Sequence, residues 1–368
     1  MGIRVTASKK TGNSTTSATS RNVRMRDVAE LAGVGTMTVS RVMSGSVRVT
    51  EETTSRVYRA IEQLRYKPNQ LARALRGSRS NTIGVLVPYL YDPFFATCAH
   101  AISMVAKQHS YSVILTTTNE SSATELEEAS QMVRRQVDGL ILIPSTGGLS
   151  EVTGPEFRDL PIVALDRPIP ESSFDSVLVE NKAGVRMGVQ HLIEHGHRRI
   201  CFVGLSRDLY TMSTRFDGYE AAMKEAGLNV EAHFDLSSEE AMVKLLTSFS
   251  QRSDAPSAIF AANGLTTRYA LHALSELGVE VPRQMALASF DDFELADILQ
   301  PALTVVRQPV RELGKAAAEL LFRRLHGEKA VEGGCRIRLP VELVVRRSCG
   351  CEPARQMGRQ PIWSGEAR

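Results

Sequence analysis

From Thr82 onward the chain alternates two kinds of segment, and this alternation limits its fold more than any other feature. Short apolar runs occur at residues 83–87, 113–115, 139–143, 162–165, 200–203, 258–261 and 287–290. Such unbroken apolar runs are what strands show when both faces of their sheet are covered. Helical stretches separate most of them, among them residues 95–108, 125–136, 183–194, 215–226 and 310–325. Parallel strands need crossover connections of helix length, so the pattern predicts parallel sheets with helices on both faces. About 270 residues of it exceed what one small sheet organises, which predicts two similar α/β lobes. Ligands bind beyond the carboxyl ends of strands in open sheets of this kind, which places a cleft between the lobes.

Residues 23–66 follow a different rule. Val28, Leu31 and Ala32 repeat at helical spacing, so residues 25–32 read as a short amphipathic helix. Gly33 follows as a left-handed C-cap, and a second short helix runs from Thr36 to about Met43. A third begins after Thr50, an N-cap with Glu51 and Glu52 in the first turn and Val57, Ala60, Ile61 and Leu64 on its inner face. Ala29, Gly33 and Val39 have the spacing of a helix-turn-helix: a small side chain where helices meet, a turn, and an apolar residue that packs the second helix back. A three-helix bundle with no nucleic-acid role has the same pattern, and charge separates the two readings. Residues 1–80 carry 15 Lys/Arg against 5 Asp/Glu, whereas the remainder carries 29 against 36. A basic head on an acidic body suits a polyanionic partner.

The run Met25-Arg-Asp-Val-Ala-Glu-Leu-Ala-Gly-Val-Gly-Thr-Met-Thr-Val-Ser-Arg-Val-Met43 resembles the signature of the LacI/GalR family of bacterial transcription regulators. The resemblance continues through Leu64-Arg-Tyr-Lys-Pro-Asn-Gln-Leu-Ala-Arg-Ala-Leu-Arg76 and Thr82-Ile-Gly-Val-Leu-Val-Pro88, and reaches about Arg347. It implies an N-terminal all-α helix-turn-helix domain with a hinge helix, followed by a two-lobed α/β core like the periplasmic binding proteins. The expected segments are a disordered Ser/Thr-rich tail (1–22), the DNA-binding domain (23–68), hinge and linker (69–80), the effector-binding and dimerisation core (81–350) and a C-terminal tail (351–368).

A recognition helix offers its first side chains to the major groove, which makes Thr36, Met37 and Arg41 candidates for base readout. Arg41 can pair bidentately with guanine, and Met37 can touch a thymine methyl or simply fill the head's core. Thr38, Ser40, Arg48, Thr53 and Asn69 read as DNA-backbone contacts, which position without specifying. In the hinge, the resemblance implies that Ala72 permits close approach of two helices in the minor groove, with Leu75 as an apolar wedge. Leu71 and Leu75 could instead pack on the core.

Effector-binding candidates lie at strand ends: Asp92, Phe94 and Phe95 after the first strand, Asp166 after residues 162–165, Arg215, and then Asn263 and Asp291. Asp92 stands where the family often has Asn, and Gly264 where an Asp is commoner. Carboxylates and amides accept from sugar hydroxyls, and Arg215 could pair with a carboxylate or phosphate. A sugar or sugar acid is therefore the expected effector, with a purine-like metabolite as the alternative. Each carboxylate could also be an ordinary helix cap or ion pair, and each Phe ordinary core.

Other classes fit less well. No apolar run approaches the roughly 18–20 residues that span a membrane, and the N-terminus has no secretory layout, so a cytoplasmic location is expected rather than that of an exported solute-binding protein. The cysteines, Cys98, Cys201, Cys335, Cys349 and Cys351, are odd in number and scattered, which argues against a disulfide framework. Cys349-Gly-Cys351 lacks a second ligand pair nearby in sequence, and the eight histidines show no metal spacing, so no metal or cofactor is expected. No nucleophile–base arrangement or phosphate-cradling loop suggests catalysis, and no catalytic residue is assigned. The expected partners are a pseudo-palindromic double-stranded DNA operator, a small-molecule effector and a second copy of the chain, with no membrane. Residues 348–368 show no heptad run, which favours a dimer over a tetramer.

Overall fold

The computed structural model describes residues 23–43, 49–66, 79–145, 154–169, 174–330 and 333–351. The expected tail at 1–22, all of the expected C-terminal tail 351–368 except Cys351, Arg48, and the hinge residues Asn69, Ala72 and Leu75 lie outside these. The chain divides into two compact units, one ending at Ser78 and one beginning at Arg79.

The first unit contains helices α1 (Met25–Ala32), α2 (Thr36–Met43) and α3 (Glu51–Gln63). The Asp27 carboxylate accepts from the Arg24 N–H at 2.7 Å and so covers an otherwise unpaired donor at the start of α1. Gly33 ends α1 at φ +65°, a conformation that costs a residue without Cβ nothing. The Val34 N–H then closes on the Ala29 carbonyl at 3.0 Å, which turns the chain into α2. Thr50 caps α3 as expected, its hydroxyl oxygen accepting from the Thr53 N–H. Val28, Ala29, Ala32, Val39, Val42, Val57, Ala60 and Tyr66 form the core of the head. Leu31 departs from expectation: it is 47% exposed, because the inner face of α1 is completed by Ala29 instead.

The second unit holds two six-stranded sheets with helices between their strands. The first contains β1 (Thr82–Val87), β2 (Ser112–Thr117), β3 (Gly139–Leu142), β4 (Ile162–Leu165), β5 (Asp175–Val179) and β11 (Arg336–Leu339), in the order β11-β5-β4-β3-β1-β2. The second contains β6 (Ile200–Val203), β7 (Glu231–His233), β8 (Ala258–Ala261), β9 (Ala286–Phe290), β10 (Thr304–Arg307) and β12 (Glu342–Val344), in the order β12-β10-β9-β8-β6-β7. The two orders correspond strand for strand, so the lobes repeat one topology. Every pairing is parallel except β10 with β12.

The lobes share the chain. Helices α4 (Pro93–Gln108) and α5 (Ser122–Arg134) belong to the first lobe. After β5 the chain passes to the second lobe through α6 (Asn181–Glu194), which packs against α7 (Tyr210–Glu225), β9 and β10. Helices α8 (Glu239–Phe249) and α9 (Gly264–Glu276) pack together there. After β10 the chain returns through α10 (Val310–Leu325), which packs on α4, β3, β4 and β5, and between β11 and β12 it crosses once more. The first lobe thus closes only with a strand, β11, that comes after five of the second lobe's strands.

Close packing fixes the helix positions. A Cβ on Gly218 of α7 would overlap the Lys182 carbonyl of α6, so glycine is what lets the two backbones touch. In the first lobe a bidentate ion pair joins Arg324 of α10 to Asp175 at the start of β5, with Nε–Oδ2 at 2.6 Å and Nη2–Oδ1 at 3.1 Å. Asp175 also accepts from the Cys335 N–H at 2.7 Å, beside β11.

Candidate DNA-reading face and ligand site

In the head, Val39 and Val42 point α2 inward, and the side chains that remain outside are those expected to read DNA. Thr36 and Arg41 are exposed, and Thr38, Ser40 and Thr53 are partly so. Met37 is 70% exposed, which rules out the core-filling role. A side chain that exposed gains little from folding and is accessible to a partner. Arg24, Arg26, Arg56, Arg59 and Arg65 are also exposed on the head, cations of the kind that meet phosphates.

The core's candidate site lies where both sheets end. Asp166 follows β4 and Asp291 follows β9, corresponding places in the two lobes. Both hold left-handed backbone, φ +65° and +79°, and both donate their N–H to the neighbouring strand, to Val177 O and Val306 O at 2.9 Å each. Left-handed aspartates cost free energy and persist where the surroundings hold them in place. Arg215, on α7, is 3% exposed. Its Nε donates to Asn181 Oδ1 at 2.7 Å and its Nη1 to the Ala262 carbonyl at 2.8 Å. Its guanidinium lies 3.8 Å above the Phe290 ring and 3.9 Å from the Asp291 carboxylate. Asp291 accepts from the Gly264 N–H at 3.2 Å and from Gln308.

Charge at the site is unevenly matched. Burial pushes the Asp166 carboxyl up to about 6, although Arg167 and Arg215 pull the other way. Burial also raises Asp92, with the Phe94 N–H opposing it and Asp291 adding to it. The Arg215 guanidinium is lowered by burial despite Asp291 and Asp166. Arg167 is shared: both its terminal nitrogens reach Glu120 at 2.7 Å, Nη1 also donates to the Pro144 carbonyl, and its Nε lies 3.6 Å from the Asp166 carboxylate. Four carboxylates, Asp92, Asp166, Asp291 and Glu120, therefore share the two buried guanidiniums of Arg167 and Arg215.

Four side-chain atoms here are buried with no hydrogen-bond partner in the protein: Asp166 Oδ1, Arg167 Nε (3.6 Å from Asp166 Oδ2), Asn181 Nδ2 and Gln308 Oε1. An unpaired buried polar atom costs roughly 1–3 kcal/mol, so such atoms grouped at strand ends mark a place that a polar molecule fills. Two acceptors and two donors suit hydroxyl groups, which can answer either.

The structure separates the expected ligand residues into two groups. Asp166, Arg215 and Asp291 come together, with Asp92 close enough to feel Asp291 and Arg215. Three others have structural duties. Asp92 caps α4 through Phe94 N at 2.9 Å, and Asn263 caps α9, its Oδ1 accepting from Thr266 N at 2.9 Å. Phe95 is a correction: it is 7% exposed and belongs to the hydrophobic core, because the first inward position of α4 falls there. Phe94 stays partly exposed, edge-on to Phe95 at 5.2 Å. Asn181, Gln308 and Glu120 escaped the sequence reading, since none lies at the end of an apolar run that is legible as a strand.

This arrangement matches known proteins along nearly its whole length. Residues 24–69 match the bacterial regulatory proteins of the lacI family, and residues 189–349 match the periplasmic binding protein-like domain. The ribose operon repressor of Halalkalibacterium halodurans is 32% identical over 327 residues, covering 88% of this chain and 96% of that protein. The chain belongs to the lacI family. Catabolite control protein A of Priestia megaterium, another relative, is 31% identical over 337 residues, covering 89% of this chain and 99% of its own length. Among solved structures, the lac repressor dimer bound to operator and the anti-inducer ONPF aligns with a TM-score of 0.79 at 26% identity, over 89% of this chain and 99% of that one. The complex of the transcriptional regulator CelR with cellobiose aligns at 0.65 with 30% identity, over 89% and 99%. As a lacI-family regulator, the chain joins a DNA-binding helix-turn-helix head to an effector-binding core, and its fold class is the one expected. No helix among the described residues is long and apolar enough to cross a membrane.

Proposed function

We propose that this regulator is a homodimeric repressor whose effector is a neutral, hydroxyl-rich sugar, released or bound according to the supply of that sugar. The observation that carries the ligand class is the mixed set of unpartnered donors and acceptors around Arg215. The surrounding charge favours a neutral ligand over a sugar acid. Arg215 and Arg167 already face Asp291, Asp166, Asp92 and Glu120, so an anion would add negative charge where carboxylates outnumber guanidiniums. That the relatives include a ribose operon repressor and a cellobiose-bound regulator supports the same reading.

On DNA, Thr36, Met37 and Arg41 read bases, while Thr38, Ser40, Arg48, Thr53 and Asn69 hold phosphates. Two chains related by a twofold axis present two such helices, so the operator is pseudo-palindromic. Ala72 and Leu75 act in the minor groove between the half-sites. Control needs no chemical step and takes place in the bacterial cytoplasm. A sugar that favours one arrangement of the lobes shifts the population of DNA-competent dimers, with a coupling of roughly 1–3 kcal/mol.

The test is thermal unfolding of the full chain against neutral sugars, sugar acids, sugar phosphates and purines. A ligand at about 100 times its Kd adds roughly 2.7 kcal/mol, a shift of several degrees. Neutral sugars are expected to give the shift, and Arg215→Met to abolish it. Shifts confined to sugar acids or phosphates would overturn the charge argument, and shifts confined to purines would replace the ligand class.

A further inference from the structure

Read along the chain, Cys349-Gly-Cys351 is a pair of thiols without further ligands. The fold supplies the missing one from 158 residues away. His191, in the last turn of α6, places Nε2 3.3 Å from the Cys349 Sγ and 3.2 Å from the Cys351 Sγ, and the two sulfurs are 3.1 Å apart. We propose that His191, Cys349 and Cys351 form a zinc(II) site in the second lobe, separate from the DNA-reading face and from the sugar site.

Three donor atoms at nearly equal separations share one point of approach. An ion about 1.2 Å off their common plane meets all three at roughly 2.2 Å, within the span of zinc–nitrogen and zinc–sulfur bonds. Small spreading of the sulfurs brings the angles toward tetrahedral and leaves the fourth position to water or another ligand. Two thiolates balance the charge of a divalent ion, whereas with copper(I) they would leave a net negative charge. Cys349 is fully buried, and burial favours the neutral combination.

The surroundings hold these donors in place. Gly350 takes φ +89°, so the chain turns between the two cysteines and brings both sulfurs to one side. The preceding residue, Ser348, is locked into the sheet: its Oγ donates to the Leu287 carbonyl at 2.6 Å and accepts from the Thr304 N–H at 2.8 Å. The Thr304 hydroxyl donates to the Cys349 sulfur at 3.1 Å. Hydrogen bonds of this kind to ligating groups and their loop are what metal sites use to orient ligands. Access comes from an open groove along α6, lined by His191 with Arg186, Met187, Gln190, Glu194 and Leu343. Bound zinc would tie the end of the second lobe's last strand segment to α6.

The experiment uses the full chain purified under reducing conditions, with metal content measured by mass spectrometry and zinc affinity by competition with a chromophoric chelator. Cobalt(II) serves as the spectroscopic probe. The expected result is one zinc per chain and a cobalt spectrum with thiolate-to-metal charge transfer. Cys351→Ser, at a partly exposed position, should weaken zinc binding by more than about 100-fold, beyond what a change outside the ligand set costs. Cys335→Ser should bind as the parent does. His191→Asn provides a second ligand variant, with circular dichroism confirming that each variant is folded. No thiolate charge transfer, or equal zinc affinity in Cys351→Ser and Cys335→Ser, would overturn the proposal. A Cys349–Cys351 disulfide in freshly isolated chain that zinc and mild reductant leave unchanged would also overturn it, in favour of a redox role.

Discussion

Replacing Asp166 with Asn should make the protein more stable and leave it unable to answer its effector. The carboxyl is raised from 3.8 to about 6 because burial disfavours its charge more than Arg167 and Arg215 favour it. For a carboxylate raised in this way the sign is the reverse of the usual salt-bridged case. Above pH 6 the group is ionised in both states and the folded state carries the whole penalty. As pH falls, the folded state takes up the proton first, and the penalty vanishes below about pH 3.8. A shift of about two units corresponds to about 3 kcal/mol at 1.36 kcal/mol per unit. Asn keeps the shape, carries no charge and tolerates the left-handed backbone that Asp166 occupies at φ +65°. Urea unfolding of parent and Asp166→Asn across pH 5 to 8 measures the difference. It should be about 3 kcal/mol in favour of the variant at pH 7.5 and about half that at pH 5. In the same preparation the sugar-induced rise in unfolding temperature should be lost, the trade between stability and function expected of a ligand site. A variant no more stable than the parent at pH 7.5, or an advantage that does not shrink toward pH 5, would refute the reasoning.

Met37→Ala should leave stability within about 0.5 kcal/mol, as expected of an exposed side chain, while changing preference at one operator base pair in a binding-site selection. Identical selected sequences would remove Met37 from readout. Arg324→Ala strands the buried Asp175 carboxylate and should cost roughly 3–5 kcal/mol of core stability, measured by denaturant unfolding. A loss below about 1 kcal/mol, the range of exposed pairs, would contradict the assigned burial. Gly218→Ala forces α6 and α7 apart and should cost roughly 1–3 kcal/mol. Because Asn181 and Arg215 ride on those helices, sugar affinity should fall with it in calorimetry, and unchanged affinity would show that the site does not depend on that contact.

The elements that were legible share one property: their periodicity is produced locally. Helices α1 to α3, with the Gly33 turn and the Thr50 cap, follow from residue spacing and from backbone groups that need partners nearby. Strands such as β4, β6 and β8 are buried on both faces and read as apolar runs. The strands that escaped notice have no such signal. β5 begins with Asp175, whose carboxylate is covered by Arg324, 149 residues later, and by the Cys335 N–H. β7 is three residues at a sheet edge, and β11 alternates exposed arginines with half-buried apolar residues. Of the ligand residues, Asp166, Arg215 and Asp291 were visible because they follow or match recognisable segments. Asn181 and Gln308 were not, since their partners come from other elements.

The class of molecule is legible along the chain: a basic three-helix head with Thr36, Met37 and Arg41 on its second helix, and a repeated α/β core with aspartates at strand ends. Local hydrogen bonding and hydrophobic periodicity act over a few residues, so they are written in order along the chain. Which groups meet was decided only by the tertiary structure. It returned α10 and β11 to the first lobe and left donors and acceptors unpaired around Arg215. It also carried His191 to Cys349 and Cys351. Those encounters depend on loop closure over more than a hundred residues and on the packing of α6 against the second sheet, and no local pattern encodes them.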